Sequence, residues 1–600
     1  MDNATQLLNP RDIEFILYEY LNTQELPQRS RYQEHSKEDF DAVLDISSAL
    51  AQKHFANHNQ KGDQQEPQFD GEKVQMIPET KVAWDALAEV GLLALHRDFE
   101  EGGSQMPEVI MRTSMAYLMA ANVASSGYSF LTIGAANLIH SFASQEHKDK
   151  YLPPMQDGRF AGTMALTEPA QGSALADIKT TAKLQDDGSY RLFGQKMYIS
   201  GGDQSITENI VHLVLAKIEG APAGVKGISL FICPKILVND DGRLGERNDV
   251  ALAGLLHKMG YRNTTSTVLN FGEKEGAVAY LVGEPHRGLS YMFQMMNEAR
   301  IGVGLGAACL GYQGYNYSLN YARERPQGRK VTNKDPLSPQ VKIIEHADVR
   351  RMLLMQKAYV EGSLALCLYA SQLHEDTQTA QSEEAQQAAH AELSFLTSIV
   401  KSYPSKYCLK ANELAIQVLG GSGYIREYPV EQYYRDNRLN PIHEGTEGIQ
   451  GLDLLGRQLP AQVNKALPAL LKKMHKACSD STLTNLVDIF QKALAKIQAC
   501  SSALLGSMAK GEIEASLANA SLYLDAMGRL VVAWIWLDQA NIAQAKLANL
   551  STEHPDHDFY QGKVQAARYF IEWELPEIHH LCQLLTENNP VCLEMRDEWF

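Results

Sequence analysis

Apolar residues recur at helical spacing over Asp12–Tyr20 and again over Trp84–Leu95 (WDALAEVGLLAL). The polar stretch between them, NHNQKGDQQEPQFDG, predicts a surface loop. From Ile110 to Ala143 the chain is rich in Met, Ala, Ser and Leu, which predicts closely packed helices. The texture changes near Phe160. FAGTMALTEP, YRLFGQKMYISGG, VHLVLAKI and GISLFICP are short β-rich segments bounded by turn residues, with a hairpin signal at Asp187-Gly188. This β region runs to about Leu281, and helical periodicity returns from Leu289. The polar run HEDTQTAQSEEAQQ (residues 374–387) predicts an exposed loop or a solvated helix face, and a further helical block follows Gly456. The order is α, β, α and an additional α block, with no internal repeat.

A chain of 600 residues folds as several domains, and 44% hydrophobic with 21% charged residues is an ordinary globular composition. The formal net charge of −17 argues against nucleic-acid binding, which needs a basic face. Eight cysteines are scattered with no C-x-x-C pair, so reduced, packed thiols are expected and no metal site. The N-terminal stretch MDNATQLLNPRDIEF lacks the charged start and apolar core of a secretory leader. The most apolar short run, Leu530–Leu537, is far below the ~20 residues of a membrane span and predicts a buried helix segment. These features predict a cytoplasmic protein with no integral membrane segment.

Two local patterns suggest ligand sites and fail on context. Gly302 to Ala307 (GVGLGA) matches a dinucleotide-binding fingerprint, yet it follows a helical rather than a strand pattern. Small residues that let helices approach closely explain it better. Glu345, His346 and Asp348 are too near in sequence to share a helix face as metal ligands, and a solvated helix is expected there.

Three segments carry more. The first is MALTEPAQGSALADIKT (Met164–Thr180), followed by GQKMYISGG. The second is NEARIG (Asn297–Gly302), with ARER at Ala322–Arg325. The third is QVLGGSGYIREYPVEQYYRD (Gln417–Asp436), leading to HEGTEGIQ (His443–Gln450). In this order and at these separations, over roughly Trp84–Arg457, they resemble the acyl-CoA dehydrogenase family. The resemblance implies an α+β fold of that family: an N-terminal helical domain (1–158), a central β-barrel (159–285) and a C-terminal four-helix bundle (286–457). An additional C-terminal helical domain (458–600) is similar to that of a longer subfamily, which includes long-chain acyl-CoA and 3-methylthiopropanoyl-CoA dehydrogenases.

By this resemblance the chain oxidises an acyl-CoA thioester to the trans-2-enoyl-CoA in fatty acid β-oxidation, using FAD and an electron-transfer flavoprotein. Removing a weakly acidic α-proton calls for a positioned carboxylate whose proton affinity rises on desolvation. Glu444 matches the family's base. Some members carry the base on a helix instead, at the position of Ala299 here, and Glu298 is one residue and about 100° of helix away. Met164, Leu166, Thr167, Ser173, Tyr198, Ser200, Arg325, Gln417, Gly421 and Thr446 match FAD-contacting positions. Ser173, Asn297, Arg300 and His443 match positions facing the acyl-CoA. Tyr198 stands where Trp is usual, Ser200 where Thr is usual, and His443 where Tyr often precedes the base. A 3-methylthiopropanoyl-CoA dehydrogenase, an acyl-CoA oxidase and a non-catalytic flavoprotein of the same fold, including a DNA-associated branch, are the alternatives, and Glu444 with the acidic charge speaks against the last. A homodimer is expected, the extra helical block covering a surface that shorter members use for tetramerisation.

Overall fold

The computed structural model describes residues 6–600, apart from the side chain of Gln294, so the first five residues of the N-terminal stretch lie outside the description. The chain forms two compact units. One spans Lys37–Ala299; the other joins the N-terminal residues to Ser36 with Arg300–Phe600.

In the first unit, helices α1 (Lys37–Leu50), α2 (Pro78–Glu89), α3 (Glu108–Phe142) and α4 (Gln145–Gln156) precede the sheet. The stretch expected as a surface loop before α2 is partly ordered. Asn59–Gln64 is helical, and His58 and Asp63 are buried there, His58 against Ser125 at 2.8 Å. α3 is two helices joined across a kink. Asn122 has extended backbone (φ −163°, ψ 90°), and its side-chain oxygen accepts from the Ser125 N–H at 3.0 Å. That is an N-cap restarting the helix, because Asn satisfies an orphan N–H three residues on.

The strands are β1 (Phe160–Ala165), β2 (Thr181–Leu184), β3 (Tyr190–Ser200), β4 (Asn209–Ile218), β5 (Ile228–Pro234), β6 (Val250–Leu255), β7 (Ser266–Phe271) and β8 (Ala277–Leu281). Their order is β6-β7-β3-β8-β5-β4-β1, and β2 pairs with both β3 and β4. The pairings β3–β8–β5–β4–β2–β3 therefore close on themselves as a small barrel, which removes free edges. β1–β4 and β2–β4 are parallel and the others antiparallel. The Asp187-Gly188 turn joins β2 to β3, with Gly188 at φ +83° and Asp187 accepting from the Ser189 N–H. Strand limits at Phe160 and Leu281 coincide with the change in residue texture.

In the second unit, α5 (Gly288–Glu324, from Arg300 onward), α6 (Ala347–Thr379) and α7 (Glu383–Leu419) form the core of a bundle, followed by α8 (Val430–Asn437) and α9 (Glu447–Leu452). The polar run at 374–387 is the end of α6, a short turn and the start of α7; it is exposed mainly after Ala380, while Glu375 is buried and accepts from the Tyr32 hydroxyl. Gly304, at the centre of GVGLGA, lies on α5 against α7. A Cβ at Gly304 would strike the Val400 carbonyl, and one at Gly311, further along, would sit 2.7 Å from the Cys408 Cβ. Helix approach, not phosphate binding, explains them. His346 contacts the Gln327 carbonyl, Glu345 pairs with Lys330 and Asp348 with Arg351; the described residues hold no metal-ligand cluster.

The C-terminal block contains α10 (Thr484–Ala509), α11 (Ala520–Leu547), α12 (His557–Tyr569) and α13 (Glu577–Thr586). α11 alone among the described helices has the length and apolarity to cross a membrane, and it is a core helix with Leu530–Leu537 wholly buried. A buried ion cluster ties this block to the N-terminal residues. Lys563 of α12 bonds Asp12, Glu361 of α6 (2.9 Å) and Gln539 of α11 (3.3 Å).

Candidate active site

β1 ends at Ala165, and one buried carboxylate shapes the loop that follows. Glu168 accepts from the Lys179 and Thr180 N–H groups at 2.6 and 3.0 Å and from the Thr180 hydroxyl at 2.6 Å. It also pairs at 3.0 Å with Lys196 of β3, which is wholly buried and donates to the Leu166 carbonyl at 2.9 Å. The Met197 N–H donates to the Thr167 carbonyl at 2.9 Å, so β3 grips Leu166–Glu168 from below. Burial by itself would raise the Glu168 carboxyl. Lys196 and the hydrogen bonds outweigh burial and hold it below the usual range.

A register shift between β3 and β7 falls at Met197-Tyr198, where Tyr198 takes a left-handed conformation (φ +60°). The bulge presents the Tyr198 ring outward, 64% exposed, and Ser200, two residues on and also exposed, shares its face. Met164, Leu166 and Thr167 are half-buried beside this strand and Ser173 is exposed.

A cavity in the same unit is lined mainly by Met111, Met115, Phe130, Ile133, Met164 and Met295. Both Glu298 and Ala299 also touch it, so their angular separation on the helix does not remove Glu298 from the cavity wall. Its partners do. Glu298 accepts from Asn137 at 2.7 Å and pairs with Arg112 at 3.6 Å, and Arg112 is bonded to Glu108 at 2.6 Å. A carboxylate so committed is a poor free base.

In the other unit, His443 and Glu444 lie between α8 and α9, both half-buried. Glu444 (φ +53°) and Gly445 (φ +91°) are successive left-handed residues, a strained turn for a side chain as long as Glu. Gln450, one turn into α9, holds it by donating to the Glu444 carbonyl at 3.0 Å. A chain of amides supports the other side. His443 Nε2 meets the Asn440 side-chain oxygen at 3.0 Å, Asn440 donates to Asn437 (2.8 Å), Asn437 to Asn412 (2.7 Å), and Asn412 to the Leu310 carbonyl (2.8 Å). Burial foremost, with Lys401 nearby, pushes His443 down to about 3, so its ring is neutral near pH 7. Burial raises the Glu444 carboxyl, against the pull of Lys401 and Arg300. Arg300 is buried and fixed on Asp453 at 2.8 Å. Arg325, Gln417, Gly421 and Thr446 are exposed, and Asn297 is half-buried one turn before Arg300.

Consecutive parts of the chain match the acyl-CoA dehydrogenase N-terminal domain (residues 37–159), middle domain (163–273) and C-terminal domain (286–459), then the acetyl-CoA dehydrogenase C-terminal-like domain (470–596). A butyryl-CoA dehydrogenase of Syntrophomonas wolfei is 33% identical over 100% of both chains. The chain belongs to the acyl-CoA dehydrogenase family. A 3-methylmercaptopropionyl-CoA dehydrogenase of Ruegeria pomeroyi is also 33% identical, over 94% of this chain and 95% of its own. The fold is shared with an acyl-CoA dehydrogenase from Bacillus anthracis solved with FAD, at TM-score 0.73 and 21% identity, covering 95% of this chain and 91% of that one.

Acyl-CoA dehydrogenases are FAD-dependent oxidoreductases, and this chain has features that fit a flat aromatic cofactor. The outward Tyr198 ring, the adjacent Ser200 hydroxyl and the loop gripped by Lys196 form one prepared edge. The residues singled out by sequence fall into two sets. Met164, Leu166, Thr167, Tyr198 and Ser200 gather along β3, and His443, Glu444 and Arg300 gather beside α7. Sequence reasoning missed Lys196, Gln450, Lys401 and the amide chain. Asn437, Asn440 and His443 recur every three residues, a spacing that could have flagged the last of these.

Proposed function

We propose that this acyl-CoA dehydrogenase oxidises a short acyl-CoA to its trans-2-enoyl-CoA, with Glu444 as the base that removes the α-proton. The observation that carries the assignment is the Glu444 turn. It is a carboxylate in strained left-handed backbone, desolvated enough to raise its proton affinity and pinned through its carbonyl by Gln450. Glu298 is spent on Arg112 and Asn137, and Ala299 has no carboxylate. FAD, when bound, supplies the acceptor for the β-hydride.

Met164, Leu166, Thr167, Ser173, Tyr198 and Ser200 would hold the ring end of the cofactor, and Arg325, Gln417, Gly421 and Thr446 other parts of it. Asn297, Arg300, Ser173 and His443 are assigned to the acyl-CoA, with Arg300 reaching it from its anchor on Asp453. The neutral His443 keeps a second charge away from the base. The Met-lined cavity receives the acyl chain, and Met side chains adapt to its shape. Its wall contains the buried Arg112–Glu298 pair, which a long chain would have to displace, so short acyl groups are favoured. The butyryl and 3-methylmercaptopropionyl substrates named for two relatives are of this size. Reduced cofactor passes its electrons to an electron-transfer flavoprotein, in a cytoplasmic homodimer with the domain limits given above.

The test is anaerobic titration of the yellow protein with butyryl-, 3-methylthiopropanoyl-, octanoyl- and palmitoyl-CoA, following flavin absorbance. Bleaching by the two short thioesters is expected. Glu444→Gln should keep FAD and bind ligand yet bleach at least about 100-fold more slowly, the scale of a lost general base. Bleaching at the normal rate refutes the assignment of Glu444, and stoichiometric peroxide in air would make the protein an oxidase.

A further inference from the structure

Lys401 sits in the middle of α7, wholly buried, and its Nζ has no hydrogen-bond partner among the described residues. A buried ammonium without a partner is costly unless an opposite charge faces it. The charged groups whose fields reach Lys401 are Glu444, Arg300 and Glu447, and the neutral His443 ring lies within the same reach. Glu447 is engaged with Lys406 at 3.2 Å, and Lys406 is also held by Asp525 at 3.0 Å. Asp453, on the segment after α9, is engaged with Arg300 and Arg457. Glu444 is the carboxylate left over: no ion pair or hydrogen bond to its side chain occurs among the described residues. The buried amine and the Glu444 carboxylate thus lie within electrostatic reach of each other, beyond ion-pair distance, and neither side chain has an ion pair or hydrogen bond among the described residues.

We propose that Lys401 is a positioning residue for the proton-transfer step, holding Glu444 as a carboxylate in the free enzyme so that the base is ready when the acyl group arrives. The proposal rests on the reading of Glu444 as base. Before substrate binds, burial works to protonate Glu444, which would disarm it. A fixed neighbouring ammonium opposes that without bonding to the carboxylate, and so leaves its oxygens open to the substrate. Arg300 adds to the same field but is tied to Asp453; Lys401 is the untied cation. Burial brings Lys401 down to about 8, against the pull of Glu444, so it is still charged at neutral pH.

The sign follows. Removing the Lys401 charge makes Glu444 harder to ionise, so the acidic limb of kcat/KM moves to higher pH. An adjacent opposite charge shifts a carboxyl by roughly 1–3 pH units, and the half-exposed site argues for the lower end. In Lys401→Met the limb should rise by about one unit, with kcat/KM down about tenfold below it and restored above it. Lys401→Arg keeps the charge and should leave the limb in place. The measurement is the pH profile of flavin bleaching by butyryl-CoA in the FAD-loaded wild type and both variants, with Lys401→Gln made in parallel. Coincident acidic limbs in wild type and Lys401→Met overturn the proposal. So does loss of FAD by both neutral variants while Lys401→Arg retains it, because that marks a structural role. Failure of the wild type to bleach with any acyl-CoA refutes the proposed function instead.

Discussion

Replacing Lys196 by Met tests how the β-barrel holds the loop after β1, the loop proposed to meet the cofactor. The substitution keeps the apolar stem and removes a buried ammonium that serves two acceptors, Glu168 Oε1 at 3.0 Å and the Leu166 carbonyl at 2.9 Å. Glu168 keeps its three bonds from Lys179 and Thr180 but becomes a buried charge without a counter-charge. Breaking one side of a buried pair costs about 3–5 kcal/mol. The exposure of a neighbouring loop offers some relief by water, which places the expectation near the lower figure, about 3 kcal/mol. For a unit of this size that is a fall in Tm of roughly 6–12 °C. Burial brings Lys196 down to about 8 against the pull of Glu168, so the pair is charged at pH 7, where the comparison should be made. Glu168, held below its ordinary value, contributes stability that is present above the unfolded-state carboxyl pKa and lost as pH falls through the folded one. In Lys196→Met that acid-side loss should begin at higher pH. The assay is thermal unfolding of the holoenzyme with flavin fluorescence as a second signal. FAD release is expected to precede global unfolding, because Leu166 loses its tether. A Tm within about 2 °C of wild type, with unchanged FAD affinity, would refute the view that this pair shapes the loop.

Two further outcomes follow from particular contacts. Lys563→Met leaves Asp12 buried without its ion-pair partner, while Glu361 keeps Lys357, and should destabilise the second unit by about 3–5 kcal/mol, read as a lower urea midpoint and faster proteolysis of the N-terminal residues. Asn122→Ala removes the cap at the break in α3 and its bond to the Phe55 carbonyl, costing about 1–2 kcal/mol by denaturant unfolding without change in the pH profile of turnover.

Local chemistry wrote much of this protein into its sequence. Short β-rich segments bounded by turn residues place the barrel between Phe160 and Leu281, and Asp187-Gly188 marks its hairpin because only a few residue types tolerate that turn. The H-E-G-T and T-E-P segments carry the family resemblance, one in each unit. Asn122 inside an apolar helical run was a cap in plain view, yet one residue cannot announce a break without knowing which N–H groups need partners.

What only tertiary structure decided is which charged side chains face each other. Glu298, set aside by sequence on its helix angle alone, proved to be a structural ion held by Arg112 and Asn137, and Arg300 gained an anchor in Asp453, 153 residues later. Lys196 and Lys401 look alike in sequence, two lysines among apolar neighbours. One is paired and tethers a loop; the other is unpaired and lies within electrostatic reach of Glu444. Periodicity reports burial of a face because hydrophobicity is additive along an element. Pairing depends on which distant element covers that face, and it exists only after the chain has packed.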